Sequence, residues 1–230
     1  SMIGDIALVG GEEFRAGCEE MDLEIMRACG QDPANVLIIP TAAVTGPDKA
    51  SRDGARHFSA LGGITTRLMV LDNDHANTEE LVGQVKGAGV IYFTGGSPDH
   101  LLASLKGSQL WDSILEERNN GAIIAGSSAG AMVLGGKMRR PGSGGWVDAL
   151  SAVPGIATLP HHENSDPEQT FLQLEAQVNS GITILGIDAR TGCLGQCGSW
   201  RVVGSGKVIK YDLSGWNVYA SGQNFSVSEK

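Results

Sequence analysis

The turn between a short apolar run and a segment of small residues is the feature that most constrains the fold of this chain. Ala122–Ala125 is typical of a buried strand, and Ser128–Leu134 combines small and helix-compatible residues, so the chain is predicted to turn sharply from strand to helix. The turn reads Gly-Ser-Ser-Ala-Gly, and the pattern Gly-x-Ser-x-Gly exposes its serine at the carboxyl end of a strand. The sequence therefore predicts a nucleophile elbow with Ser128 at its apex.

Two chemical requirements of an attacking serine fit this turn. A serine hydroxyl is a weak nucleophile unless a base takes its proton, and the oxyanion that it creates needs donors already aimed at it. The amide of Ala129 and the start of the following helix would face that charge. A close-packed turn rich in small residues would give the same pattern without catalysis, and the chain has 33 glycines. The motif alone leaves both interpretations open.

Composition restricts the class of protein. The chain has 230 residues, of which 41% are hydrophobic and 19% charged, and it contains no linker-like stretch, which predicts one domain over residues 1–230. A net charge of −9 argues against nucleic-acid binding. No apolar run approaches the ~20 residues that cross a bilayer. We therefore expect a globular cytoplasmic protein that binds neither nucleic acid nor membrane.

The four cysteines also favour a cytoplasmic location. Their spacings do not match the common zinc motifs, and two of them fall on the apolar stripe of a predicted helix. Reduced, buried thiols are therefore expected in place of disulfides. The four are Cys18, Cys29, Cys193 and Cys197.

Alternating strand and helix signals indicate the fold class. Five buried strands are predicted at Ile3–Val9, Val36–Pro40, Ile64–Leu71, Gly89–Phe93 and Ala122–Ala125. Helical spacing between them, with Asn77 and Ser97 as N-caps, predicts an α/β fold: a mostly parallel, flavodoxin-like sheet with helices on both faces. Ligands of such sheets lie beyond the carboxyl ends of the strands. After Met138 a β-rich part is expected, with one helix around Leu174 and strands at Ile182–Ile187, Gly198–Val203, Val208–Leu213 and Asn217–Ala220.

Histidines downstream of the turn are the candidates for the general base. The adjacent pair His161 and His162 lies where a sheet of this type supplies a base to such a serine. The same pair followed by Glu163 could hold a metal, but neighbouring side chains diverge and no third ligand is evident. We therefore predict neither a metal site nor a cofactor.

Several segments together resemble the S51 serine peptidases, the family that includes cyanophycinase and dipeptidase E and has a class I glutamine amidotransferase-like fold. The segments are Gly126–Ala131 (GSSAGA), Phe93–Gly96 (FTGG), Ile39–Ala42 (IPTA) and the pair Pro160-His161. The resemblance implies a nucleophile, a base, an oxyanion hole and an acid between serine and histidine. In this chain these would be Ser128, His161, Gly95 or Gly96 with Ala129, and Asp148. If Asp148 is not the acid, another residue such as Glu163 would take that role.

Three departures from the family affect the positions that would contact substrate. Cyanophycinases have a glutamine-type loop where this chain has Ser97-Pro98-Asp99, and an aromatic and arginine-rich stretch where His162 begins an acidic run. Relatives also often carry a glutamate where Ala189 precedes Arg190. The resemblance places substrate contacts at Ser97, Asp99, His162 and Arg190. An acidic substrate residue needs a fixed cation, so the acidic run favours a short peptide other than cyanophycin.

These observations predict a serine hydrolase that cleaves an amide bond of a small peptide, with an aspartyl peptide among the candidates, through an acyl-enzyme. A homodimer is one assembly that the sequence leaves open. The alternative is a non-catalytic amidotransferase-like module that binds a small metabolite or a protein partner, with Ser128 only part of a tight turn. A glutamine amidotransferase is disfavoured because those enzymes use cysteine at this turn.

Overall fold

The computed structural model describes residues 2–142 and 144–228. Its strands are β1 (Ile6–Val9), β2 (Asn35–Ile39), β3 (Ile64–Arg67), β4 (Val90–Phe93), β5 (Ile123–Ser127), β6 (Lys137–Arg139), β7 (Trp146–Asp148), β8 (Ile156–Leu159), β9 (Thr183–Ile187), β10 (Thr191–Gln196), β11 (Ser199–Gly204), β12 (Lys207–Asp212), β13 (Gly215–Ala220) and β14 (Asn224–Ser226). Its helices are α1 (Glu19–Ala28), α2 (Pro47–Ala60), α3 (Glu79–Val82), α4 (Pro98–Leu105), α5 (Gln109–Asn119), α6 (Ala129–Met132), α7 (Pro167–Gln173) and α8 (Glu175–Asn179).

The five predicted strands form the parallel part of the main sheet, in the order β1-β5-β4-β2-β3. β10, β11 and β14 extend it beyond β1 as antiparallel strands. Alternate residues of a strand point to opposite faces, and both faces of this sheet are covered by helices. The α/β fold with a mostly parallel sheet is therefore confirmed.

Each face of the sheet has its own apolar core. Ala7 and Val9 pack with α1 and α2, where Ile25 and Phe58 are fully buried. Leu8 instead faces the core that contains residues of α4 and α5. Because β1, β4 and β5 are buried on both faces, their sequences are continuous apolar runs and not alternating ones.

The C-terminal part forms a second sheet in the order β13-β12-β9-β8. One face contributes Leu185 and Ile187 to the core shared with the main sheet. The other face buries Leu159 and Ile184 beneath Leu174 and the helix α8. This sheet places the end of β8, and with it the two adjacent histidines, beside the carboxyl ends of β1 and β5. The β-rich C-terminal part is thus also confirmed.

Several local predictions need correction. The helix expected around Leu174 is two short helices, α7 and α8, which meet at that residue. Thr78, not Asn77, precedes α3, and the Asn77 side chain donates to the Asn73 carbonyl. Ser97 does cap α4, because its hydroxyl accepts from the amide of His100. The predicted loop after Met138 includes Ser143, which lies outside the described residues.

The prediction of buried thiols is correct for only two of the four cysteines, since Cys29 is half-buried and Cys197 is exposed. All four cysteines are free, but Cys197 is exposed and has a positive φ of 50° at the turn between β10 and β11. Cys18 and Cys193 are buried, and burial raises the pKa of the Cys18 thiol to about 11.

A buried hydrogen bond between a histidine and a carboxylate joins the two helices on one face of the sheet. His57 Nε2 of α2 lies 2.7 Å from Asp22 Oδ2 of α1, and the side chains are 9% and 1% exposed. Burial raises the pKa of the Asp22 carboxyl, while the bond to His57 lowers it. The ring of Phe14, in the loop after β1, lies 5.8 Å from the His57 ring. The pair therefore helps to fix a loop that reaches the carboxyl end of the sheet.

Loss of Asp22 should destabilise the fold, because His57 would be left buried without its partner. We expect Asp22→Ala to lower the free energy of unfolding by about 3 kcal/mol, a typical loss for one member of a buried pair. Urea unfolding measures this. The control is Lys49→Ala, which removes an exposed pair with Asp53 and should change stability little. Equal midpoints for the two variants would contradict the role of the buried pair.

Candidate active site

Ser128 lies at a sharp turn between β5 and α6. Its φ of 54° and ψ of −111° are rare for a residue with a side chain. The turn is closed so tightly that a Cβ on Gly126 would collide with the Gly130 carbonyl, and a Cβ on Gly130 with the Phe93 carbonyl. The Ser128 amide donates to the Val9 carbonyl at 2.9 Å, which ties the turn to β1. The predicted strand, turn and helix are therefore present.

His161 faces Ser128 across the end of the sheet. Its Nε2 lies 3.3 Å from Ser128 Oγ. The His161 backbone has a positive φ of 51°, and its amide donates to the Gly10 carbonyl at 2.8 Å. The imidazole fits only because residue 11 is glycine, since a Cβ there would overlap the ring.

His162 points away from the serine. It is 3% exposed, and its Nε2 lies 2.6 Å from the Tyr211 hydroxyl. Burial lowers the pKa of the His162 imidazole. The structure thus brings one of the two adjacent histidines to Ser128 and places the other, a predicted substrate contact, in the core of the second sheet.

The three amides predicted for the oxyanion hole differ in availability. The Gly95 amide donates to Glu13 Oε2 at 2.8 Å and is therefore occupied. The amides of Gly96 and Ala129 donate to no acceptor among residues 2–142 and 144–228. Both residues line a cleft that also contains Ser128. Of the two alternatives predicted beside Ala129, the free amide is therefore that of Gly96 and not that of Gly95.

The IPTA segment shapes the first of these donors. Gly96 has a φ of 142°, and a Cβ there would collide with the Ala42 carbonyl. The Ala42 carbonyl also accepts from the Ser97 amide at 2.7 Å. Ser97 itself uses its hydroxyl to cap α4, so the structure gives this predicted substrate contact a role in holding the loop.

Asp148 makes no hydrogen bond to His161 among the described residues, so the structure does not support its predicted role as the acid. It lies opposite Lys137 in the β6–β7 hairpin, and its carboxylate forms an ion pair with Lys137 Nζ at 2.6 Å. The Asp148 side chain is 76% exposed. The hydrogen bond and charge of Lys137 lower the pKa of Asp148. Cross-strand pairing therefore holds this carboxylate at the surface.

Glu163 brings a different carboxylate close to the histidine. Its Oε1 accepts from the Ala189 amide at 2.8 Å. That bond lowers the pKa of Glu163, and the charge of protonated His161 lowers it further. The next amide, that of Arg190, donates to the carbonyl of Gly11, which packs on the His161 ring. Glu163 is thus bonded to the backbone of Ala189, the position at which relatives often carry a glutamate.

Two clefts meet at Ser128. The first, of about 470 Å³, contains Gly96, Ala129, Arg139 and Arg140 and is called the arginine cleft. The second, of about 460 Å³, contains His161 with paired charges of both signs and is called the mixed cleft. Charged residues of the mixed cleft are Glu12, Glu13, Arg15, Lys49 and Asp53.

One of the two arginines in the arginine cleft is held in place by an ion pair. Arg140 makes a bidentate pair with Asp99, with both N–O distances at 3.1 Å. Asp99, a predicted substrate contact, therefore orients an arginine. Arg139 makes no ion pair or side-chain hydrogen bond within the described ranges. Arg190, the remaining predicted contact, is exposed and lies against Gly17, outside both clefts.

Sequence reasoning missed Glu13 and the orientation of Arg140. Glu13 lies in the loop after β1, shortly after the paired glycines Gly10 and Gly11, and no motif in that loop identified it. Within the described part of the chain, no group of three or more His, Cys, Asp or Glu side chains is arranged to hold a metal. No helix in those ranges is both long and apolar enough to cross a membrane.

Comparisons with known proteins support one family. A cyanophycinase of Nostoc sp. strain PCC 7120 is 22% identical over 219 residues, which cover 90% of this chain and 73% of the relative. A cyanophycinase of Trichormus variabilis matches with the same identity and coverage.

Solved structures agree in fold. A peptidase from an acI-B1 Actinobacterium superposes with a TM-score of 0.82 at 26% identity, over 98% of each chain. A putative peptidase E from Listeria monocytogenes EGD-e gives a TM-score of 0.59 at 20% identity, over 92% of this chain and 99% of its own. The sequence model of Peptidase family S51 matches residues 6–199. With a match over most of its length and a related fold, this chain belongs to Peptidase family S51.

Proposed function

We propose that this S51 peptidase cleaves an amide bond of a short peptide through an acyl-enzyme formed on Ser128. The observation that carries the proposal is the 3.3 Å contact between Ser128 Oγ and His161 Nε2. A nucleophile and base at this separation, with the serine on a strained turn, are the arrangement of a nucleophile elbow. Two unoccupied backbone amides beside the serine supply the oxyanion hole.

The reaction follows from these positions. Ser128 Oγ attacks the carbonyl carbon while His161 Nε2 takes the hydroxyl proton, and the charge on the carbonyl oxygen is received by the amides of Gly96 and Ala129. Collapse of this intermediate breaks the C–N bond, and His161 gives its proton to the leaving amine. Water then attacks the ester with His161 again as base, which releases the acid and restores the serine.

The two clefts give the substrate a direction. The leaving amine must receive its proton from His161, which lines the mixed cleft and not the arginine cleft. The acyl part then extends past the oxyanion amides into the arginine cleft. Arg140 is oriented there by Asp99, and a fixed guanidinium is the partner that a desolvated carboxylate requires. A peptide with an acidic residue before the cleaved bond fits this site.

The acidic run after His161 does not oppose that fit. Glu163 is bound to the Ala189 amide, and Asp166 caps α7 by accepting from the amide of Glu168. None of these carboxylates lines either cleft. These carboxylates are therefore not placed to repel an acidic residue of the bound peptide, and an aspartyl dipeptide is the favoured substrate class.

Removal of the nucleophile or the base should abolish hydrolysis without unfolding the protein. We expect Ser128→Ala and His161→Ala each to lower kcat by roughly 10³-fold or more, because the two groups act as a unit. Dipeptide hydrolysis and labelling by a fluorophosphonate measure this.

The matched control is His162→Gln, which keeps a hydrogen-bonding group against Tyr211 and should keep turnover within about threefold. A wild-type protein that no fluorophosphonate labels would favour the non-catalytic binding module. Wild-type turnover by Ser128→Ala would exclude this nucleophile.

The acid next to the base should be Glu163 and not Asp148. We expect Glu163→Gln to lower kcat roughly tenfold or more. This loss should be smaller than the ~10⁴-fold loss that follows a change of a triad acid bonded directly to the histidine. Loss of the Glu163 carboxylate removes a negative charge that favours the imidazolium, so the acid limb of the pH–rate profile should move to lower pH.

Asp148→Asn is the matched control, since that carboxylate is exposed and paired with Lys137. It should leave both the rate and the pH profile unchanged. A larger loss in Asp148→Asn than in Glu163→Gln would reverse the assignment.

Specificity should depend on the arginine cleft. We expect Asp-X dipeptides to be cleaved faster than Ala-X dipeptides, and Arg140→Ala to lower kcat/KM for Asp-X roughly tenfold or more with little effect on Ala-X. Arg201→Ala is the control, because Arg201 pairs with Glu24 outside both clefts.

Rapid cleavage of β-aspartyl-arginine would contradict the expectation that cyanophycin is not the substrate. Equal cleavage of Asp-X and Ala-X would show that the arginine cleft does not determine specificity.

A further inference from the structure

The side chain of Glu13 joins the ends of the neighbouring strands β4 and β5 directly beside Ser128. Its Oε2 accepts from the Gly95 amide at 2.8 Å, just after β4, and its Oε1 accepts from the Ser127 hydroxyl at 2.7 Å, at the end of β5. One carboxylate therefore bridges the residue before the oxyanion donor Gly96 and the residue before the nucleophile.

We propose that Glu13 is a positioning residue that fixes the Gly96 amide relative to Ser128, and so builds the oxyanion hole that the proposed hydrolysis requires. This inference rests on the proposed function, because an oxyanion hole matters only if Ser128 attacks a carbonyl.

Packing leaves the carboxylate little freedom. A Cβ on Gly95 would lie 3.0 Å from Glu13 Oε2 and 3.4 Å from the Ser128 Cβ. The glycine loop therefore lies in contact with both the carboxylate and the nucleophile. Displacement of Glu13 would open a gap on one side of that loop, and the donor at Gly96 would lose the support that sets its position.

The loop that carries Glu13 is itself rigidly held. Both of its neighbours have positive φ, 57° for Glu12 and 67° for Phe14, a conformation that side chains adopt only when the surroundings impose it. The Phe14 ring packs between the Phe58 and Tyr92 rings, at 6.0 and 5.3 Å. The fold thus maintains an unfavourable backbone on each side of the residue whose carboxylate reaches the site.

A carboxylate suits both donors that it meets. Ser127 is fully buried, and a buried hydroxyl without a partner is costly. A carboxylate accepts at both oxygens and so satisfies the hydroxyl and the Gly95 amide together. It also removes the Gly95 amide from competition, so that the oxyanion is directed to Gly96 and Ala129.

An uncharged side chain of the same shape separates positioning from charge. In Glu13→Gln the amide oxygen can accept from the Gly95 amide while its NH₂ donates to the Ser127 hydroxyl, so the bridge is kept and the charge is lost. In Glu13→Ala both bonds are lost. Glu20→Ala is the control, because Glu20 is an exposed glutamate on α1 outside both clefts.

Two measurements test the proposal. Labelling of Ser128 by a fluorophosphonate places a phosphoryl oxygen in the oxyanion hole, so kinact for Glu13→Ala should fall by roughly 10- to 100-fold, somewhat less than the loss of an oxyanion donor itself. KI should stay within about threefold, and Glu13→Gln and Glu20→Ala should keep kinact within about threefold. Hydrogen exchange of the Gly95 amide should accelerate in Glu13→Ala and stay slow in Glu13→Gln, whether or not the protein is a hydrolase.

The outcomes separate this inference from the proposed function. Wild-type kinact and slow Gly95 exchange in Glu13→Ala would overturn the positioning role, and so would a Glu13→Gln variant as slow as Glu13→Ala. Labelling that survives in Ser128→Ala would instead overturn the proposed function. If Glu13→Ala does not fold, Glu13→Asp replaces it, because the shorter side chain cannot reach both donors. It should show the same fall in kinact, and wild-type kinact there would overturn the proposal.

Discussion

The backbone of Ser128 is held in a conformation that side chains rarely adopt, and the surrounding structure is arranged to keep it there. A non-glycine residue at this φ and ψ costs of order 1–3 kcal/mol, so the turn persists only because neighbouring elements enclose it. Glycines at 126 and 130 let the strand and helix backbones meet, and the carbonyl of Val9 accepts the serine amide. The hydroxyl is thus directed out of the sheet at the edge where parallel strands present their ligand sites.

Two loops of the main sheet and one from the second sheet supply the other groups. The loop after β1 contributes Glu13 and a glycine at 11 that makes room for the His161 ring. The loop after β4 contributes the Gly96 amide, and the loop after β8 contributes His161. Because the His161 amide donates to the carbonyl of Gly10, the second sheet is joined to the main sheet at the site itself. The position of His161 therefore depends on how the two sheets pack together.

The sequence was sufficient for the parts that local patterns encode. Continuous apolar runs located β1, β2, β4 and β5, and the spacing of glycines and serines located the turn at Ser128 and the capped helix at Ser97. The acid was not predictable in this way. Asp148 is near in sequence to the elbow, but cross-strand pairing with Lys137 holds it at the surface, whereas Glu163 reaches the site through a bond to the Ala189 amide. Such contacts join segments that are distant in the sequence, so local hydrophobic periodicity does not predict them.

Glu13 was missed for the same reason, and its charge raises a question about the oxyanion. Two unit charges at 4 Å interact by about 4 kcal/mol near a protein surface, so a carboxylate beside the hole would oppose catalysis if its charge were free. Here both oxygens accept hydrogen bonds, from a backbone amide and a buried hydroxyl, which disperse that charge. The carboxylate of Glu163 is likewise bound to an amide, near the imidazole that becomes positive in the proposed reaction. In that reaction the site would tolerate two carboxylates, because one is bound by two donors near the proposed oxyanion and the other lies near the cation that forms.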